Sequence, residues 1–314
     1  MARNTVQMQK GLSLSAFRAA YGAEEQCRAA LVQWRFPKGY VCPHCGSQEA
    51  CTLKARGLMQ CNRCLYQASL TAGTIFHATK LSLTVWFEAL YWLTQTKNGV
   101  SALELSRLLG VSYNTAWKVK HKLMQVMLER NRERKLSGLI EVDDAYLGGE
   151  RSGGKRGRGA EHKLPFVAAV SQRKGRPMSL HLRPVTAFGK RAIAKWATHS
   201  LEAGTTVQSD GLACFAAVEQ AGCRHEPTVL GNSRRAVKAG RFKWVNTILG
   251  NLKNALRGTY HAFSLKHGAR YLAEFEYRFN RRFSLPDMIP RLAFVALRTP
   301  PMPYRLLKLA EFGT

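Results

Sequence analysis

A chain of 314 residues is too long for one small core, and its ordinary hydrophobic content excludes a disordered protein. Its 48 Lys and Arg against 20 Asp and Glu leave a net charge of +28, a field that concentrates polyanions, so nucleic acid is the expected partner. The longest apolar runs, such as LAFVAL, are far too short to span a bilayer, and the start MARNTVQMQKG lacks the apolar core of a signal peptide. The expectation is a cytoplasmic protein without a membrane partner, whose eight cysteines are reduced rather than paired in disulfides.

Residues 1–36 predict packed helices, because SLSAFRAAYGAEEQCRAALVQWRF spaces its apolar residues three and four apart. Cys27 reads there as a small buried hydrophobe. Cys42 and Cys45 form one CxxC knuckle, and Cys61 and Cys64 a second, with fifteen residues (46–60) between. Four thiolates at that spacing close a tetrahedron around one structural Zn²⁺. Cys51 is not needed for it, and His44 is expected not to be a ligand. LSLTVWFEALYWLTQT is amphipathic and aromatic, a core helix. In SALELSRLLGVSYNTAWKVKHKLMQVM, apolar spacing predicts two packed helices with Gly110 at the turn and Ser112 capping the second. This is a helix-turn-helix pattern, in which Tyr113, Asn114, Trp117, Lys118 and His121 are expected to face outward.

From residue 138 strands alternate with helices. Strands are predicted at 139–147, 164–171, 178–184, 205–209 and 225–230. Helices are predicted at 187–201 and 211–221, with another starting near 241. Three strands in succession, then alternating helices and strands, is the element order of the ribonuclease H-like fold. Between the first two strands the basic, glycine-rich GGERSGGKRGRGAEHK, with Lys155, Arg156 and Arg158, suits a phosphate backbone.

The chemistry concentrates in the acids. LIEVDDAYLGG sets Asp143 and Asp144 side by side in a strand, where charge is costly unless it meets something positive. Asp210 ends the strand TTVQS next to Gly211, where a side chain can aim into a shared crevice. In RFKWVNTILGNLKNALRG, Asn246, Gly250, Lys253 and Arg257 fall on one helical stripe. Val245, Ile248, Leu249, Leu252 and Leu256 cover the opposite side.

Together the motifs CPHCG, CNRC, FHATKLSLTVWFEALY, GVSYNTAW, VDDAYLGG, QSDG, VNTILGNLKNALRGTYH and YLAEFEYRFNRRF resemble a DDE-type bacterial insertion-sequence transposase of the ISXO-type branch, over residues 20 to 283. The resemblance implies a multidomain α+β protein. Its parts are an N-terminal helical segment (1–37), a zinc ribbon (38–72), a helix-turn-helix DNA-binding region (73–137), a ribonuclease H-like, retroviral integrase-type catalytic domain (138–285) and a C-terminal helical tail (286–314). It places the first catalytic acid on Asp143 rather than Asp144, the second on Asp210, the third position on Asn246 and a Lys seven residues later on Lys253. Two Mg²⁺ (or Mn²⁺) ions held by Asp143, Asp210 and Asn246 are then expected, since paired carboxylates can bridge two hard cations at a phosphodiester. DNA contacts are expected from Tyr113, Asn114, Trp117, Lys118, Lys155, Arg156, Arg158, Lys253 and Arg257. The implied partners are the element's terminal inverted repeats and target DNA, bound by a homodimer or larger assembly in the bacterial cytoplasm, at the nucleoid. Glu274 and Glu276 are expected to pair with nearby Arg residues rather than to act as a substitute acid. A non-catalytic DNA-binding regulator and a nuclease of the same fold are the rival readings.

Overall fold

The computed structural model describes residues 11–53, 56–132, 134–148, 163–228, 242–260 and 263–309. The chain forms two compact units, Met1–Val126 with Arg282–Lys308, and Met127–Arg281 with Leu309–Thr314.

In the first unit, α1 (Leu14–Tyr21) and α2 (Glu24–Arg35) realise the helical pattern before residue 36. Ser13 caps α1 by accepting from the Ala16 amide at 3.1 Å. Cys27 is buried, as its place on the apolar stripe requires. A three-stranded antiparallel sheet follows, β1 (Ala50–Leu53), β2 (Leu58–Cys61) and β3 (Gln67–Ser69). Next come α3 (Leu83–Gln95), α4 (Ala102–Leu109) and α5 (Tyr113–Arg132), the last continuing into the second unit from Met127. Gly110 ends α4 in the left-handed region at φ 63°, a conformation that costs glycine nothing, and Ser112 accepts from the Thr115 amide at 3.3 Å to start α5.

The second unit is built on a five-stranded sheet. Its strands are β4 (Leu139–Leu147), β5 (Leu164–Arg173), β6 (Arg176–Pro184), β7 (Thr206–Ser209) and β8 (Arg224–Pro227), in the order β6-β5-β4-β7-β8. The first three run antiparallel, while β7 joins β4, and β8 joins β7, in parallel. The result is a mixed α/β unit. Predicted strand 225–230 is seen as Arg224–Pro227; its residues 229 and 230 lie outside the described residues. One face of the sheet buries Ile140, Val142, Val167, Ala169 and Val207 against α6 (Lys190–Ser200) and the 3-10 helix Ala213–Ala221. Fully removing the Ile and Val side chains from water contributes roughly 1.5–3 kcal/mol each.

Three helices complete the described chain after the sheet: α7 (Lys243–Tyr260), α8 (Gly268–Asn280) and α9 (Met288–Ala296), with the short α10 (Tyr304–Leu309) at the end. The α8 helix seals the outer edge of β6. Asn280 accepts from the Leu180 amide at 2.7 Å and donates to the Leu180 carbonyl at 2.8 Å, and Glu276 accepts from the Leu182 amide at 2.9 Å. Glu276 also pairs with Arg183, and Glu274 with Arg278 at 2.9 Å, so both acids are bound to arginines, as expected. Among the described residues no helix is long and apolar enough to cross a membrane.

Candidate active site and zinc ribbon

The ribbon cysteines meet. The sulfurs of Cys42, Cys45, Cys61 and Cys64 lie within 4.8 Å of one another, with Cys42–Cys64 and Cys45–Cys61 both at 3.6 Å. That is far beyond a disulfide bond, and all four are free thiols. It is close to the sulfur–sulfur edge of about 3.8 Å that four Zn–S bonds of about 2.3 Å subtend in a tetrahedron. Burial pushes the Cys42 thiol up, but the backbone amides of Cys45 and His44 and the neighbouring thiols outweigh it and bring it down to about 6. The donor set fits a structural zinc ion. Cys51 is exposed on β1, outside the set.

The second constellation is acidic. One carboxylate oxygen each from Asp143, Asp144 and Asp210 lies within 4.8 Å of the others. The topology explains the meeting. All nine residues of β4 pair with β5, but β4 pairs with β7 only through Leu139, Ile140 and Glu141. Beyond Glu141 no described strand pairs with that edge of β4, and Asp210, the residue after β7, is delivered alongside it. Gly211 adopts φ 86°, and the Leu212 amide donates to Asp210 Oδ1 at 3.1 Å, so the chain turns away and leaves the carboxylate at the sheet's end. Strand alternation sends Asp143 and Asp144 to opposite faces, yet both carboxylates reach that edge, a convergence that period-two reasoning did not anticipate.

Burial, then the Asp144 and Asp210 charges, raise the Asp143 carboxyl from 3.8 to about 6, while Lys253 pulls it down. The α7 helix buries Val245, Ile248, Leu249, Leu252 and Leu256 and exposes Asn246, Gly250, Lys253 and Arg257, the two stripes expected from the sequence. Between pH of about 4 and 6 the folded protein holds a proton on Asp143 that the unfolded chain releases. Without metal this group therefore adds stability on acidification through 6 and costs stability above it. A divalent cation must displace that proton. A divalent cation bound here is expected to raise the melting temperature fully near pH ~7.5, less below about 6 and not at all in Asp143→Asn. An Mg²⁺ response unchanged from pH ~5 to ~8 would count against cation binding at this carboxylate.

On the α5 face, Tyr113 (53% exposed), Asn114 and Lys118 are exposed. Trp117 is half-buried: its ring lies 6.1 Å from Tyr304, and Lys118 Nζ sits 4.9 Å from the centre of the Tyr304 ring. His121 does not face outward as expected. It is buried, 1% exposed, and stacks on Trp117 at 4.0 Å. Lys155, Arg156 and Arg158 lie outside the described residues.

Sequence reasoning overlooked Glu141. It lies 3% exposed on the sheet face that carries Asp143, and its carboxylate holds the start of α7. The signal was present: an acid between Ile140 and Val142 must be satisfied by something, and α7 begins after Phe242, which has no side-chain oxygen to cap it.

These features are a four-cysteine ribbon and an acidic cluster on a mixed α/β unit. Residues 135–280 match the ISXO2-like transposase domain and residues 22–67 the transposase zinc-ribbon domain. The chain belongs to the ISXO2-like transposase family. A relative from Halobacterium salinarum, described as an uncharacterized protein in transposable element ISH50, is 25% identical over 210 residues, 62% of this chain and 69% of that protein. A pre-cleavage Mos1 transpososome structure aligns with 66% of this chain and 78% of its own at 9% identity and a TM-score of 0.16, a likeness too slight to assign a fold.

Proposed function

We propose that the protein binds the terminal inverted repeats of its insertion sequence, cuts the strands there and joins them to target DNA. The observation that carries this reading is the meeting of the Asp143, Asp144 and Asp210 carboxylates beside β4, inside a transposase domain. The strand order and directions of the second unit support a ribonuclease H-like, DDE-type catalytic domain within the five-part organisation read from the sequence, and the short turn between α4 and α5 supports a helix-turn-helix. Asp143, Asp210 and Asn246 would hold two Mg²⁺ or Mn²⁺ ions, Asp144 adding charge beside them. When bound, those ions activate the attacking oxygen and hold the leaving one.

The chain's own groups do the rest. In cutting, water attacks phosphorus and the 3′-oxygen leaves as a hydroxyl. In joining, that hydroxyl attacks a target phosphorus and the target's 3′-oxygen leaves, with no bond to the protein. Asp143 and Asp210 supply the negative donors, and Lys253 offers a cation to the phosphate or terminal bases. Tyr113, Asn114, Trp117, Lys118 and Arg257 contact DNA, as do Lys155, Arg156 and Arg158. Two ends must be held together, so a dimer or larger assembly on DNA belongs to the proposal.

The test is one reaction: labelled end DNA, Mg²⁺ and a target plasmid, scored for binding, nicking and joined product. Binding with cutting and joining supports a transposase. Binding alone supports a regulator, and cutting without joining a nuclease. Asn246 adds a carbonyl oxygen but no charge, so Asn246→Ala should lower joining by about 10- to 100-fold, and Asn246→Glu should keep part of the activity. Parental joining by Asn246→Ala removes Asn246 from the site.

A further inference from the structure

We infer that Glu141 is a positioning residue for strand transfer, a carboxylate clamp that sets the axial position of α7, the helix that carries Asn246 and Lys253, against the strand that carries Asp143. This rests on the reading of Asp143 and Lys253 as working groups. Glu141 Oε2 accepts from the backbone amides of Trp244 at 2.9 Å and Val245 at 2.8 Å, the second and third residues of α7. Those are the amides that a Ser, Thr, Asp or Asn at the helix boundary ordinarily satisfies. Here the boundary residue is Phe242, with a left-handed backbone at φ 57°, and the cap comes from a strand a hundred residues earlier. Glu141 Oε1 is held in turn by Gln172 Nε2 at 2.6 Å, from β5. A further tie comes from the Trp244 indole, which donates to the Gly175 carbonyl at 3.0 Å in the turn between β5 and β6.

The apolar stripe of α7 keeps the helix on the sheet, but contacts between aliphatic side chains lack direction and leave its axial position soft. Hydrogen bonds to two successive amides are directional and fix it. Glu141 and Asp143 are two residues apart on one strand face, so the group that fixes the helix and the acid that Lys253 acts on share one rigid element. A shift of about 1 Å at a reacting centre is enough to cost on the order of 100-fold in rate.

The full-length protein with Glu141 replaced by Ala, Gln or Asp, and an Asp143→Ala control, tests this. The readouts are joining of labelled end DNA with Mg²⁺ and hydrogen exchange at the start of α7. Gln keeps an oxygen within reach of the two amides. Asp keeps the charge but withdraws it by one methylene, about 1.5 Å. Glu141→Ala and Glu141→Asp should expose the Trp244 and Val245 amides to exchange and join about 10- to 100-fold more slowly. Glu141→Gln should keep the protection and join within about threefold of the parent. Parental joining by Glu141→Ala, or faster joining by the Asp variant than by the Gln variant, overturns the inference. If the Ala variant does not fold, the Gln and Asp order decides alone. Parental joining by Asp143→Ala brings down the site reading instead, whatever happens at α7.

Discussion

Alanine at Asp143 or at Asp210 is expected to stop cutting and joining together while end-DNA binding stays at the parental level. The loss should reach at least about 10³-fold, ~4 kcal/mol of transition-state stabilisation. The argument is electrostatic. Phosphodiester transfer needs little covalent help; it needs two cations held where charge develops on the attacking and leaving oxygens. Asp143 and Asp210 are the acids to which the proposed reaction assigns the cations; they share their cluster with Asp144, and Asn246 adds no charge to replace either. Binding is expected to survive because DNA affinity comes from cations spread over the chain, not from these acids. Gel-shift and joining assays on the same preparations give the answer. Joining at a parental rate by either variant would remove that aspartate from the site, and loss of binding in step with joining would indicate a folding defect.

The second large effect is metal removal from the ribbon. Its buried core consists of Tyr40, Cys42 and Cys61, with Phe36, Met59, Ala50 and Ala68 packed at the margin. So few side chains cannot offset the ordering of about thirty residues at roughly 1–2 kcal/mol each. The metal must supply the difference, and structural zinc contributes on the order of 10 kcal/mol in small domains. Chelation, or Cys61→Ser, is therefore expected to melt β1–β3 while the five-stranded sheet keeps its protection. The measurement is zinc content together with hydrogen exchange over residues 40–69 and over β4. One zinc per chain in the parent, none after chelation and full exchange in the ribbon are expected. A chelated ribbon that keeps its amide protection would refute a metal-dependent fold.

How far the residues announced these features depends on the range of the interaction. The glycine-bounded LIEVDDAYL run read as a strand and is β4 to the residue, because its order comes from local β-branching and burial. The buried and open stripes of α7 and the arginine pairing of Glu274 and Glu276 were likewise legible, the first from periodicity and the second from the cost of a lone buried acid. His121 was not. Periodicity tells which side of α5 it shares with Trp117, but not that His121 is buried beneath the half-buried indole. The convergence of Asp144 with its neighbours required knowing that β7 stops pairing after Glu141. The Glu141 clamp spans 103 residues in sequence and has no local period to betray it. It follows from an absence instead, a helix that starts without a capping oxygen of its own.

The sealed rim of the five-stranded sheet limits how copies of this protein can meet. Where β6 would offer bare main-chain groups to a neighbouring molecule, Leu180 and Leu182 are already engaged by an amide and a carboxylate from α8. Two protomers cannot fuse their sheets through that strand without first unzipping these contacts. Self-association on this flank is thereby barred from the strand-to-strand growth that leads to fibres, and any paired assembly must use other surfaces.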